Sequence, residues 1–131
     1  MSAGQILVPD ALPSILRGNG IVTTPLVTAG RGSQFMLNGV TRIPPGAAVP
    51  LHTHNCEESV VVLSGRGLAH IDGADHPVGP GITSWIPPEA AHCFTNLDGS
   101  EPLVIFWTYA SIDATRTIVV TGVTTRIDEE H

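Results

Sequence analysis

Four side chains in this 131-residue chain have the types and spacing to share one metal ion. His52 and His54 stand two residues apart, and Glu58 follows four residues later. His92 supplies a third imidazole from a separate segment. Three imidazoles and one carboxylate make a mixed nitrogen and oxygen set, suited to Fe, Mn, Co, Ni, Cu or Zn. A six-coordinate ion held this way keeps two positions open for water, substrate or O2. The pair His52-x-His54 is weak evidence alone. The carboxylate at this offset, the apolar flanks and His92 strengthen it.

These residues need elements that turn them toward one point. Side chains alternate faces along a strand, so His52 and His54 project together, inward if their strand lines a barrel. Asn55, Cys56 and Glu57 are polar enough for a turn or bulge, after which Glu58 opens an apolar strand. His92 opens another, and barrel closure would bring it near the others. Helical periodicity is nearly absent, while Val, Ile and Thr alternate between Gly and Pro breaks. The expected strands are Ile21–Val27, Ser33–Ile43, Val49–His54, Ser59–Ser64, Leu68–Ile71, His76–Val78, Thr83–Ile86, His92–Asn96, Leu103–Tyr109 and Thr115–Val120. One short helix is conceivable over Pro9–Leu16, with Asp10 as its cap. Asp72-Gly73 predicts a two-residue hairpin turn, and Asp98-Gly99 breaks the chain before Leu103.

The length fits one domain, residues 1–131, with a core that can bury well. A net charge of −6 argues against nucleic acid or an anionic membrane as partner. Asp128, Glu129 and Glu130 read as a solvated tail end. No apolar run nears the ~20 residues that span a bilayer, and Met1–Pro9 lacks a signal-peptide pattern. The expectation is therefore a cytoplasmic protein with a small-molecule substrate. Cys56 and Cys93 are too few for a disulfide framework and read as structural or surface thiols. His70 and His76 flank the Asp72-Gly73 turn and read as partly exposed.

The first segment matches Gly-x5-His-x-His-x3-Glu-x6-Gly at Gly46, His52, His54, Glu58 and Gly65. The second matches Gly-x5-Pro-x-Gly-x2-His-x3-Asn at Gly81, Pro87, His92 and Asn96, with Glu89 in place of the usual Gly. In these motifs the chain resembles the cupin superfamily, as a small single-domain member. The resemblance implies an all-β jelly-roll barrel (a double-stranded β-helix), with its core at about residues 33–110 by that likeness. It implies one divalent transition metal per chain on His52, His54, Glu58 and His92. It also implies a homodimer, the segments Ile6–Val27 and Thr115–Val123 covering sheet edges or pairing across subunits. A non-Gly residue resists positive φ, so Glu89 bears on the Pro87–Ala91 turn.

Fold alone does not choose a reaction. The first expectation is a metal-dependent oxidoreductase of the dioxygenase type, acting on a small chelating substrate. Val49, Val60, Val62, Phe94 and Ile105 would line its apolar pocket. The second is a redox-neutral isomerase, lyase or decarboxylase of a small hydroxy or keto acid. The third is a module that binds a metal or small ligand without catalysis. Tyr109 is the candidate acid or base. Phe94 and Trp107 are candidate pocket walls. Arg31, Arg42 and Arg66 are the cations considered for an anionic substrate, Arg42 being best placed because its strand leads into the first motif.

Overall fold

The computed structural model describes residues 3–97 and 99–130. Met1, Ser2, His131 and Asp98 of the expected Asp98-Gly99 break lie outside that description. Twelve strands run in chain order: β1 (Ile15–Leu16), β2 (Val22–Pro25), β3 (Leu37–Ile43), β4 (His52–His54), β5 (Glu58–Ser64), β6 (Gly67–Ile71), β7 (Ala74–Val78), β8 (Thr83–Ile86), β9 (His92–Asn96), β10 (Leu103–Tyr109), β11 (Thr115–Ile118) and β12 (Thr124–Arg126). They form two six-stranded sheets, ordered β1-β2-β3-β10-β5-β8 and β12-β11-β4-β9-β6-β7. Every pairing between them is antiparallel. This is the all-β jelly roll that the motifs imply.

Alternation builds the interior. Along β10 every second residue is buried, from Leu103 through Ile105 and Trp107 to Tyr109. β3 and β5 alternate likewise and place Leu37, Ile43, Val60 and Val62 in the same core. Gly39 lets this wall close. A Cβ there would come 2.6 Å from the Trp107 ring and 2.7 Å from the Thr24 carbonyl. Trp107 and Gly39 are register partners, so the indole lies flat where a side chain would otherwise stand.

Asp72 and Gly73 both take positive φ, 50° and 81°, and close the β6–β7 hairpin as their sequence predicts. The N-terminal expectations need correction. Residues 9–16 form no α-helix: a 3-10 turn covers Pro9–Ala11 and β1 follows. Pro13 lacks the N–H a helix interior requires, and Asp10 sits inside the turn rather than capping it. The Ser33–Ile43 strand begins only at Leu37. Gly32 at φ 111° ends a 3-10 turn there, and Ser33 Oγ donates to the Met36 carbonyl, holding the chain in a bend.

Asn96 is fully buried and ties the two sheets together. Its Nδ2 donates to the Ile43 carbonyl at 2.9 Å and the Glu101 carbonyl at 2.8 Å. An apolar replacement strands both acceptors in a dry interior. Asn96→Leu is expected to destabilise the protein by about 2–4 kcal/mol, read as a lower urea midpoint at unchanged m-value.

Candidate metal centre

β4 presents His52 and His54 on its buried face, two residues apart. Register brings the other ligands to them: His52 pairs with His92 across β4–β9, and Glu58 pairs with Tyr109 across β5–β10. The two sheets thus contribute to one cluster. His52, His54, Glu58 and His92 are all buried, and one ligand atom from each lies within 4.8 Å of all the others. The three imidazole centroids are 4.3–4.9 Å apart.

The hydrogen bonds define which atoms face inward. His52 Nδ1 donates to the Pro50 carbonyl, His54 Nδ1 to the Thr115 carbonyl at 2.9 Å, and His92 Nδ1 to the Ala90 carbonyl at 2.8 Å. A carbonyl only accepts, so each Nδ1 carries a proton and each ring turns its Nε2 into the cluster. Glu58 Oε1 stands 2.9 Å from His92 Nε2 and 3.3 Å from His54 Nε2. His54 Nε2 is buried without a hydrogen-bond partner. Acceptors therefore converge on acceptors, and a cation among them satisfies all four. The donor set fits a divalent transition ion, and outer-shell carbonyls orient the imidazoles as in known metal sites.

Burial holds His52 neutral, with its pKa lowered to about 2; His92, Arg116 and His54 add to the effect. Burial alone would raise Glu58, but the adjoining His54 and His92 rings outweigh it and bring its carboxyl down to about 2. Both groups are thus held in the state a metal needs.

The turn that delivers His92 keeps its shape despite Glu89, which takes φ 67°. Its N–H donates to the His54 carbonyl at 2.8 Å, and Ala90 N–H donates to the Pro87 carbonyl at 3.3 Å. Two backbone bonds thus hold a conformation that glycine would adopt without strain.

A narrow cavity opens beside the cluster. Phe94, Trp107 and Tyr109 line it with Val49, Ile105 and Ile127. Tyr109 stacks 4.6 Å from the His54 ring and 5.1 Å from the Trp107 ring. Trp107 Nε1 donates to Thr41 Oγ1 at 2.8 Å. Val60 and Val62, expected in the lining, are packed in the core instead. Arg42 is exposed on the opposite face of β3, beside Pro9 and Asp10, because its strand neighbours Thr41 and Ile43 take the inward positions.

The cation in this cavity is Arg116, which the sequence reading missed. It lies on β11 opposite His54, and its charge lowers the Tyr109 phenol against the larger effect of burial. Arg17 also lines the cavity. Glu130, read from sequence as part of a solvated tail, is only 15% exposed and bonded to both arginines. A strand had been expected at Thr115–Val120, but its pairing with β4, which aims Arg116, leaves no sequence signal. Cys56 and Cys93 are free, and burial pushes both thiols up, away from the thiolate that binds metals. His70 bonds to Asp75, and His76 is exposed.

Wild-type protein is expected to bind one equivalent of Zn(II) or Co(II) in a calorimetric titration, and His54→Ala to lose it. The metal-free protein should also weaken in acid. His52 titrates at about 6.5 when unfolded and about 2 when folded. The unfolded chain therefore takes up its proton first, and stability present above that higher value is lost as pH falls. Between pH 7.5 and 5.5 this removes about 1.4 kcal/mol. Urea titrations should show that extra loss in wild type relative to His52→Gln.

The family model of the cupin domain matches residues 39–109. Auxin-binding protein T85 of Nicotiana tabacum is 38% identical over 52 residues, covering 40% of this chain and 25% of that protein. Polyketide synthase CurC of Streptomyces cyaneus is 33% identical over 102 residues, covering 76% of this chain and 64% of its own. This chain thus spans between a quarter and about two thirds of the length of these two relatives. Among solved structures, the polyketide cyclase RemF from Streptomyces resistomycificus superposes with a TM-score of 0.77 at 15% identity, covering 95% of this chain and 86% of that one. The matched segment carries all four clustered ligands and both motifs, and the chain belongs to the cupin domain family.

Proposed function

We propose that this chain catalyses a redox-neutral, metal-dependent reaction of an enolisable carbonyl compound, with cyclisation of a poly-β-carbonyl chain as the preferred instance. The observation that carries this reading is the position of Tyr109 between the His54 ring and the Arg116 guanidinium. Burial, reinforced by the Glu58 charge, pushes the phenol far above its ordinary range. It therefore stays protonated and serves as an acid rather than a base.

A divalent ion on His52, His54, Glu58 and His92 would supply Lewis acidity to a bound carbonyl. The Arg116 charge favours the phenolate that forms as Tyr109 gives up its proton. In an aldol-type closure, an enol carbon bonds to a second carbonyl carbon, whose oxygen becomes a hydroxyl. Tyr109 gives that oxygen its proton and recovers one from the enol O–H, which becomes a carbonyl. Phe94, Trp107 and Ile105 pack the chain being folded and keep water from it. CurC supports the substrate class by its name and by its coverage of this chain. RemF, described as a polyketide cyclase, shares the fold.

The dioxygenase chemistry expected from the sequence is the second reading. The apolar wall of Val49, Phe94, Ile105 and Trp107 favours it, since O2 chemistry benefits from a dry pocket.

One experiment separates the two. Metal-loaded protein is incubated with poly-β-keto thioester mimics under argon, and ring formation is followed by absorbance and NMR. Turnover is expected without O2, and Tyr109→Phe is expected to lower kcat by about 10²–10³-fold at unchanged metal content. Turnover that stops under argon and consumes O2 stoichiometrically in air overturns the first reading for the second.

A further inference from the structure

Arg17 and Arg116 enter the metal cavity from different elements, one following β1 and the other on β11. Both contact a single carboxylate. Glu130 Oε2 accepts from Arg17 Nη2 at 3.0 Å and forms an ion pair with Arg116 Nη1 at 3.1 Å. Its other oxygen, Oε1, accepts from Thr125 Oγ1 at 2.8 Å. All three charged side chains are at least four-fifths covered.

This arrangement leaves the guanidiniums underused. One oxygen serves both, so neither makes a two-pronged contact. Arg116 Nε is buried with no partner. Two guanidiniums share the one Glu130 carboxylate, while the Glu58 charge acts on Arg116 from the cluster side of the cavity. The group that fills it sits on a 3-10 turn, Asp128–Glu130, which contains no buried residue. The apolar anchor of this segment is the residue before the turn, Ile127, 1% exposed, whose N–H donates to the Ala114 carbonyl at 2.9 Å. Beyond that anchor, Asp128 is held by Arg126, while among the described residues Glu130 is held only by Thr125, the two arginines and its own N–H to the Ile127 carbonyl.

We infer that Arg17 and Arg116 form a carboxylate subsite at the mouth of the metal cavity, and that Glu130 holds it as an internal stand-in which a substrate carboxylate displaces. The inference rests on the reading of this cavity as the substrate site and narrows the substrate to an acid. The carbonyl end of such a molecule reaches the His52, His54, Glu58 and His92 cluster, while its carboxylate takes the place of Glu130. A forked contact engages Arg116 Nε as well, which Glu130 does not.

Succinate binding to the zinc-loaded full chain tests this by calorimetry, with succinamide as the uncharged comparison. Glu130→Gln removes the competing charge and is expected to tighten succinate about tenfold, leaving succinamide unchanged. Adding Arg17→Gln to Glu130→Gln is expected to reverse the gain. Thr125→Val loosens the Glu130 anchor without removing the charge and is expected to tighten succinate two- to threefold. Glu129→Gln is the neighbouring control, with no change expected. Succinate affinity within twofold of wild type in a folded Glu130→Gln protein overturns the inference, as does equal tightening of succinamide. The readout is binding alone, so absence of ring-forming activity would overturn the proposed reaction and leave this result intact.

Discussion

Four electron-pair donors are driven together in a dry interior with no proton to share among them. That constraint organises the rest of the barrel. Each imidazole has committed its Nδ1 proton to a backbone carbonyl, and the carboxylate has none to give. Left alone, such a cluster opposes folding, because buried acceptors facing each other gain nothing for their lost hydration. A cation turns the same geometry into a favourable one. The carbonyls of Pro50, Ala90 and Thr115 come from three separate loops or strands, so correct imidazole orientation requires most of the fold to be in place.

The polar centre is balanced by how little else is polar around it. β10 supplies Ile105, Trp107 and Tyr109 on one face in strict alternation. Trp107 depends on the missing side chain at Gly39, and its N–H is met by Thr41, which in turn shares a hydrogen bond with Thr23. The large aromatic wall is thus fixed without an unpaired indole N–H. In the proposed reaction such a wall would limit how a flexible substrate coils beside the metal.

The ligands were legible because chemistry and spacing coincide within short segments: His52, His54 and Glu58 lie on adjacent strands, and His92 follows a Pro-rich turn. The inward face of β9 followed from simple alternation once His92 was placed, whereas on β10 alternation joined Trp107 to Tyr109 without choosing their face. What the sequence hid depends on pairing between distant segments. Arg116 faces inward only because β11 joins β4, and Glu130 is largely covered only because its turn folds back toward Arg17. Arg42 misled because its proximity to the first motif says nothing about side-chain face; one residue either way reverses it. Residues 9–16 misled because Pro13 outweighed a plausible cap.

Thr115 and Arg116 are consecutive, and they serve different masters. The Thr115 carbonyl fixes the proton of a metal ligand, His54, while the Arg116 side chain grips the carboxylate of Glu130. A shift of β11 by a fraction of an ångström would disturb both. A metal on His54 and an anion on Arg116 would then be linked through two adjacent residues, each changing the affinity for the other by the same factor. One short strand would carry that coupling between ion and mouth, with no moving domain.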